Sequence, residues 1–204
     1  MLADKFSQFS RMPQFRLFRC SVVKALKKEK ATAGKLLDVG CGPGWFLKDL
    51  IKTFQNIDFT GCDLSERMVF HAKNNLSPKV NVVVGDAQNL QFADDSFDIV
   101  TSTLAFHHFP QPDKAISEFH RVLKPNGLMV VADARRDCSG FIWSLIGFVT
   151  RHIVPKPLCF ANEPFGSFQA AMTVDESKAI MQNSAFSNWK VSSNPFAMTI
   201  VARK

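Results

Sequence analysis

The chain has 204 residues, 46% hydrophobic and 21% charged, enough to bury one α/β core and too few for two comfortable ones. Its formal net charge of +7 resides in residues 1–35, where nine Lys and Arg (Lys5, Arg11, Arg16, Arg19, Lys24, Lys27, Lys28, Lys30, Lys35) face only Asp4 and Glu29. No apolar run reaches the roughly 18–20 residues of a membrane-spanning helix, and MLADKFSQFSRMPQF has no apolar stretch of a secretory signal, so neither is expected.

Five cysteines (Cys20, Cys41, Cys62, Cys138, Cys159) are odd in number and form no C-x-x-C pair. That usage predicts reduced thiols in a cytoplasmic protein, with no disulfide framework and no metal site. In the basic segment Phe15, Phe18, Val22 and Leu26 recur at spacings of three and four, the period of an amphipathic helix. Such a helix either covers the domain or attracts an anionic substrate or membrane surface. No further basic-aromatic module recommends a nucleic acid.

Beyond residue 35 short apolar runs alternate with helical patterns. Lys35–Val39 reads as a strand and 44–54 as a helix, with Phe46, Leu47, Leu50, Ile51 and Phe54 on one face. Asp58–Cys62 is a second strand, 65–75 a helix capped by Ser65, and Val80–Val84 a third strand. Phe97–Leu104 is a fourth strand, followed by a helix around 112–123 with Ile116, Phe119 and Val122 inward. Lys124–Gly127 reads as a turn before a fifth strand, Leu128–Ala132. Thr173–Glu176 is a capping box that opens a helix to about Ser184. The last two strand-like runs, NWKVSSN and FAMTIVARK, are joined only through Asn194 and Pro195, so they must pair as an antiparallel hairpin. Strands alternating with helices predict a doubly wound, mostly parallel α/β sheet covered on both faces.

The chemistry is concentrated at the strand ends. Residues 36–44 read LLDVGCGPG, a strand ending in Asp38 and then Gly40, Gly42 and Gly44. In a parallel sheet ligands bind beyond the carboxyl ends of the strands, and glycines there let a ligand approach the backbone. A dinucleotide fingerprint needs its third glycine where Trp45 stands, and Pro43 removes an N–H that a diphosphate would use. A cofactor without phosphates and with an amino-acid moiety suits the loop better. Asp38 can meet an ammonium group, Asp63 can accept two ribose hydroxyls, and Asp86 can accept an adenine amine while Ala87 donates its N–H to the ring. Three acids at three successive strand ends suit a cationic nucleoside, S-adenosylmethionine.

Here the sequence resembles the class I S-adenosylmethionine-dependent methyltransferases, particularly the small-molecule group that includes the ubiquinone and menaquinone biosynthesis enzymes. The resemblance rests on LLDVGCGPG (36–44), TGCDLSERM (60–68), GDAQNLQFADDSFDIVTST (85–103) and HHFPQPDKAISEFHRVLKPNGLMVVAD (107–133). It implies a seven-stranded Rossmann-like sheet with a reversed C-terminal strand. It also implies that Asp63 holds the ribose, that Asp86 and Ala87 hold the adenine, and that Gly40, Gly42 and Thr103 hold the methionine end. Leu64 and Gly44 join that cofactor set.

The reading is one domain: a basic helical cap (1–34), a cofactor core (35–133), a variable substrate cover (134–172), and a C-terminal helix and hairpin (173–204). The expected activity is methyl transfer to a small apolar or aromatic acceptor. Its alternatives are a cofactor-binding module without efficient turnover, a nucleic-acid methyltransferase, and an NAD-dependent oxidoreductase. His107 is the first candidate for a general base and His108 the second, against the reading that either is a neutral wall of the pocket. Asp133 either orients substrate or caps its loop with Arg135 or Arg136. Phe141–Val149, uncharged between Asp137 and Arg151, is either a core helix or a lid over the cofactor that also touches a membrane. In the lid reading Gly140 and Gly147 permit movement, while Pro155, Pro157 and Pro164 stiffen the return. Neither the acceptor atom nor the oligomeric state is legible.

Overall fold

A computed structural model describes residues 16–152 and 165–204. Phe15, Cys159 and the prolines at 155, 157 and 164 lie outside the described residues. The strands are β1 (Ala33–Val39), β2 (Asn56–Asp63), β3 (Asn81–Val84), β4 (Phe97–Thr103), β5 (Leu123–Ala134), β6 (Asn188–Ser193) and β7 (Ala197–Arg203). The described helices are α1 (Arg16–Lys28), α2 (Trp45–Thr53), α3 (Glu66–Asn75), α4 (Pro112–Val122), α5 (Gly140–His152), α6 (Phe165–Ala170) and α7 (Val174–Gln182), with a 3-10 turn at Phe106–His108.

The seven strands form one sheet in the order β3-β2-β1-β4-β5-β7-β6. β1 pairs in parallel with both β2 and β4, so strand order reverses between β1 and β4 and a crevice opens at their carboxyl ends. β7 runs antiparallel to both β5 and β6, as the short Asn194–Pro195 link requires.

Strand alternation divides the core into two layers. Leu37, Val39, Val100, Met129 and Val131 point to the face covered by α4 and α7, where they meet Ile116, Phe119, Val122 and Met181. Leu36, Ile99, Leu128, Val130 and Ala132 point the other way, against Val22 and Leu26 of α1, Leu47 and Leu50 of α2, and Val69 of α3. Helix ends match their chemistry: Ser65 accepts from the Met68 N–H, and Thr173 with Glu176 forms a complete capping box.

One expected boundary differs. Lys124–Gly127 is not a turn ahead of a separate strand but part of β5, which runs without a break from Leu123. The register against β4 shifts between Phe97 and Ile99, and Asn126 takes a positive φ of 65°, so the turn residues form an irregularity inside the strand. A proline and a glycine at a sheet end tolerate such a bulge, which the local sequence does not distinguish from a loop.

Candidate active site

The crevice is built from the carboxyl ends of β1 to β4. Asp38 stands in register with Gly61 of β2 and Thr101 of β4, and Asp63 with Val84 of β3, just ahead of Asp86. The three acids therefore line one edge of the sheet. Among the described residues no Lys or Arg side chain is hydrogen-bonded to or ion-paired with any of them.

Each acid is held differently. Asp38 is buried, 2% exposed, with Oδ1 accepting from the Thr101 hydroxyl at 2.8 Å. Burial pushes its pKa up to about 7, the Thr101 bond opposes that rise, and the charge of Asp63 adds to it. Asp63 accepts on both oxygens, from the Gly42 N–H at 2.7 Å and the Ser65 N–H at 2.9 Å. Burial raises its pKa and these two backbone donors lower it. Asp86 closes an Asx turn, its Oδ1 accepting from the Gln88 N–H at 2.9 Å. That turn leaves Ala87 buried in the core beneath it.

The glycine loop is folded by strand β2. The N–H groups of Gly40 and Cys41 both donate to the Cys62 carbonyl, at 2.8 and 3.0 Å. Gly40 has φ 73°, and a Cβ there would lie 2.3 Å from the Ala105 methyl, so this glycine serves the close approach of the β4 loop. Gly42 has φ 53°, and among the described residues none but its chain neighbours comes within 4 Å of the position a Cβ would take. Its open side is the cradle of the crevice. Gly44, which precedes α2, instead faces Leu76 and Ala72 of α3.

Two further groups border the crevice. Leu64 keeps 71% of its surface exposed immediately after Asp63, an apolar face where a flat ring can stack. Thr103 ends β4 with its hydroxyl buried and without a hydrogen-bond partner among the described residues. A row of carboxyls, a backbone cradle and the buried Thr103 hydroxyl fit the ribose, adenine and amino-acid parts of S-adenosylmethionine. The thiols take no nucleophilic part, since burial and then the neighbouring acids push Cys62 up to about 12 and Cys41 upward as well.

Beyond β4 the structure shows an arrangement that local sequence does not predict. Leu104 adopts a positive φ of 55°, uncommon for a non-glycine residue, and its N–H bonds to the Ala132 carbonyl at 2.9 Å. This reversal returns the Phe106–His108 turn to the end of β5. Asp133, 1% exposed, then accepts from the His107 N–H at 2.9 Å and pairs with His107 Nδ1 at 2.8 Å. It also accepts from the Ala134 N–H at 2.7 Å. Asp133 is thus surrounded by donors, so Nδ1 carries the proton and the Nε2 lone pair is the basic one.

The Arg partners expected for Asp133 are engaged elsewhere: Arg135 bonds to Asp137 and Arg136 to Glu176. Burial of Asp133 inside the sheet edge puts it out of their reach. His108 stacks on His107 with ring centroids 4.0 Å apart. Desolvation first, and the His107 charge second, lower the His108 pKa, although the residue as a whole is exposed. An acid and a histidine separated by 26 positions carry no joint sequence signal; only the pairing of β4 with β5 unites them.

Over this end lies a small apolar cluster of Phe18 from α1, Ile142 and Ile146 from α5, and Phe168 from α6, with Leu104 packed against it. Helices α5 and α6 thus lie over the β4 and β5 ends and meet α1 there.

Residues 37–131 match the family model described as a methyltransferase domain. A fatty-acid O-methyltransferase of Mycolicibacterium smegmatis is 37% identical over 102 residues, which is 50% of this chain and 37% of that protein. A demethylmenaquinone methyltransferase of Staphylococcus epidermidis is 29% identical over 155 residues, 74% of this chain and 64% of that protein. The chain thus spans less than two thirds of the length of these curated relatives. Among solved structures, the plantazolicin methyltransferase in complex with S-adenosylhomocysteine and a triazolic substrate analogue superposes with TM-score 0.75 at 17% identity, covering 99% of this chain and 89% of that one. A putative S-adenosylmethionine-dependent methyltransferase of Methanococcus maripaludis gives 0.74 at 18% identity, covering 99% and 91%. The fold is thus shared with these solved methyltransferases, and residues 37–131 match the methyltransferase-domain model.

Proposed function

We propose that this protein transfers a methyl group from S-adenosylmethionine to a small lipophilic acceptor. The observation that carries the reading is the row Asp38, Asp63 and Asp86 at three neighbouring strand ends, beside the open side of Gly42. When bound, the cofactor supplies an activated methyl group on a positively charged sulfur. Asp63, its two oxygens oriented by Gly42 and Ser65, accepts the ribose hydroxyls on its remaining lone pairs. Asp38 meets the ammonium group, with Gly40, Gly42 and Thr103 completing the methionine end. Asp86 and Ala87 hold the adenine edge, Leu64 covers its face, and Gly44 keeps the loop seated on α3.

His107 serves as the base that accepts the acceptor's proton at Nε2, with Asp133 holding its tautomer; His108 is a neutral wall beside it. The apolar cluster above them makes α5 and α6 the acceptor cover, which excludes water from the transfer. A lipophilic acceptor is supported by that lining and by the relatives, named for fatty acid, demethylmenaquinone and phthiotriol dimycocerosate acceptors. Cys20, Cys41, Cys62 and Cys138 are free thiols and no described helix is long and apolar enough to cross a membrane, which supports a cytoplasmic location.

The test has two stages. Calorimetry with S-adenosylhomocysteine should show binding; its absence overturns the cofactor assignment. Incubation of S-adenosylmethionine with fatty acids, reduced quinones and phenols should then release S-adenosylhomocysteine with at least one of them. Binding without release from any of the three overturns the acceptor class.

A further inference from the structure

Helix α5 has two apolar faces, and only one is used. Ile142 and Ile146 are buried against Phe18 and Phe168, as a surface helix requires. On the opposite side Phe141, Leu145 and Phe148, at spacings of four and three, keep 76%, 41% and 56% of their surface exposed. A helix on a water-facing surface would be polar there, and three large apolar side chains in one stripe mark a contact surface.

The charge around the stripe indicates the partner. α5 has no acidic residue in its first turn and ends in Arg151 and His152, with the Phe148 ring against His152 at 4.7 Å. The neighbouring α1 joins α5 through Phe18 and exposes Lys24, Lys27 and Lys28. The same helix lies within residues 1–35, which carry the whole net positive charge of the chain. Apolar side chains bordered by Arg151, on a chain whose net positive charge lies in residues 1–35, match the interface of an anionic bilayer, whose acyl boundary takes the stripe and whose headgroups take the cations.

We propose that the outer face of α5, assisted by the basic face of α1, docks this protein on an anionic lipid bilayer. Docking there sets the acceptor cover against the membrane, because Ile142 and Ile146 on the inner face of the same helix pack toward Leu104 at the crevice. The inference goes beyond the methyl-transfer reading and needs no turnover to be tested, so the two can fail separately.

The experiment is flotation of the full chain with vesicles of phosphatidylcholine alone and of phosphatidylcholine mixed with phosphatidylglycerol. Binding is expected only to the mixed vesicles and should weaken with added salt, since screening acts on the lysines. The double variant Phe141→Ser/Phe148→Ser should lower the bound fraction at least about tenfold, while its circular dichroism and S-adenosylhomocysteine affinity stay unchanged. Lys24→Glu/Lys27→Glu should do the same through charge. No binding to mixed vesicles overturns the proposal, as does binding that the Phe variant leaves intact. A concentration-dependent dimer in solution that the Phe variant dissociates would assign the stripe to a second copy, and also overturns it.

Discussion

The proposed cofactor edge and the proposed acceptor cover of this protein are built by opposite physics. At the β1–β3 ends polar groups are fixed in advance: Asp63 by two backbone N–H groups, Asp38 by Thr101, and the glycine loop by the Cys62 carbonyl. Over the β4 and β5 ends, Phe18, Leu104, Ile142, Ile146 and Phe168 meet through apolar contact contributed by both halves of the chain. A directional site holds one ligand with defined donors and acceptors, whereas an apolar cover accepts a class of shapes. The comparison teaches that one fold can keep its cofactor constant while its acceptor changes.

The largest effect expected on the polar side is from Asp63→Ala. It removes the acceptor for two ribose hydroxyls and unties the Gly42 and Ser65 N–H groups. Hydrogen bonds to charged groups contribute ~1.5–3 kcal/mol each, so S-adenosylhomocysteine affinity should fall about 10²–10⁴-fold. Calorimetry showing unchanged affinity would remove Asp63 from the site.

Turnover separates the two regions next. Asp133→Asn leaves His107 without its carboxylate partner, and positioned general bases contribute ~10²–10⁴-fold. Turnover should drop within that range and its pH profile should shift, while cofactor affinity holds; His107→Gln should reproduce the loss. Equal losses of turnover and affinity would make the pair a structural tie between β4 and β5.

The glycines give a finer contrast. Gly40→Val should lower both thermal stability and cofactor binding, because its side chain meets Ala105. Gly42→Val has only its positive φ to strain the fold, so it should abolish binding with a smaller shift in melting temperature. Equal melting shifts for the two variants would remove the special role of the open side of Gly42.

Smaller still is a pH effect at Asp38. Burial raises its folded pKa from the ordinary carboxylate value of 3.8 to about 7, so the folded state holds the proton between those values and the unfolded state does not. Asp38 therefore stabilises the fold less as pH rises through that window, until it ionises in both states. Cofactor binding runs the other way, since an ammonium partner needs the ionised form. Affinity for S-adenosylhomocysteine should fall by up to about tenfold per pH unit below 7, and Asp38→Asn should flatten the dependence. A steeper titration in the variant would contradict this.

The smallest effect tests the outer tie of the cover. Arg136 and Glu176 are both more than a third exposed, so a double-mutant cycle across that pair should give ~0.2–1 kcal/mol. A larger coupling would show that the link from β5 into α5 is held by charge rather than by the apolar cluster.

Much of this molecule was legible in the chain because its signals are local. Short apolar runs and period-3.6 patterns marked β1 to β4 and α1 to α4, capping chemistry marked α3 and α7, and a short link imposed the antiparallel hairpin. The acids at the strand ends were legible for the same reason, since each sits where its own strand stops. Tertiary structure alone decided what depends on two distant segments meeting. The His107–Asp133 pair, the loss of Arg135 and Arg136 as partners of Asp133, and the bulge that takes Lys124–Gly127 into β5 all arise where β4 and β5 pair. The exposed stripe on α5 is of the same kind, because an apolar helix does not reveal in its own sequence which face the rest of the fold will cover.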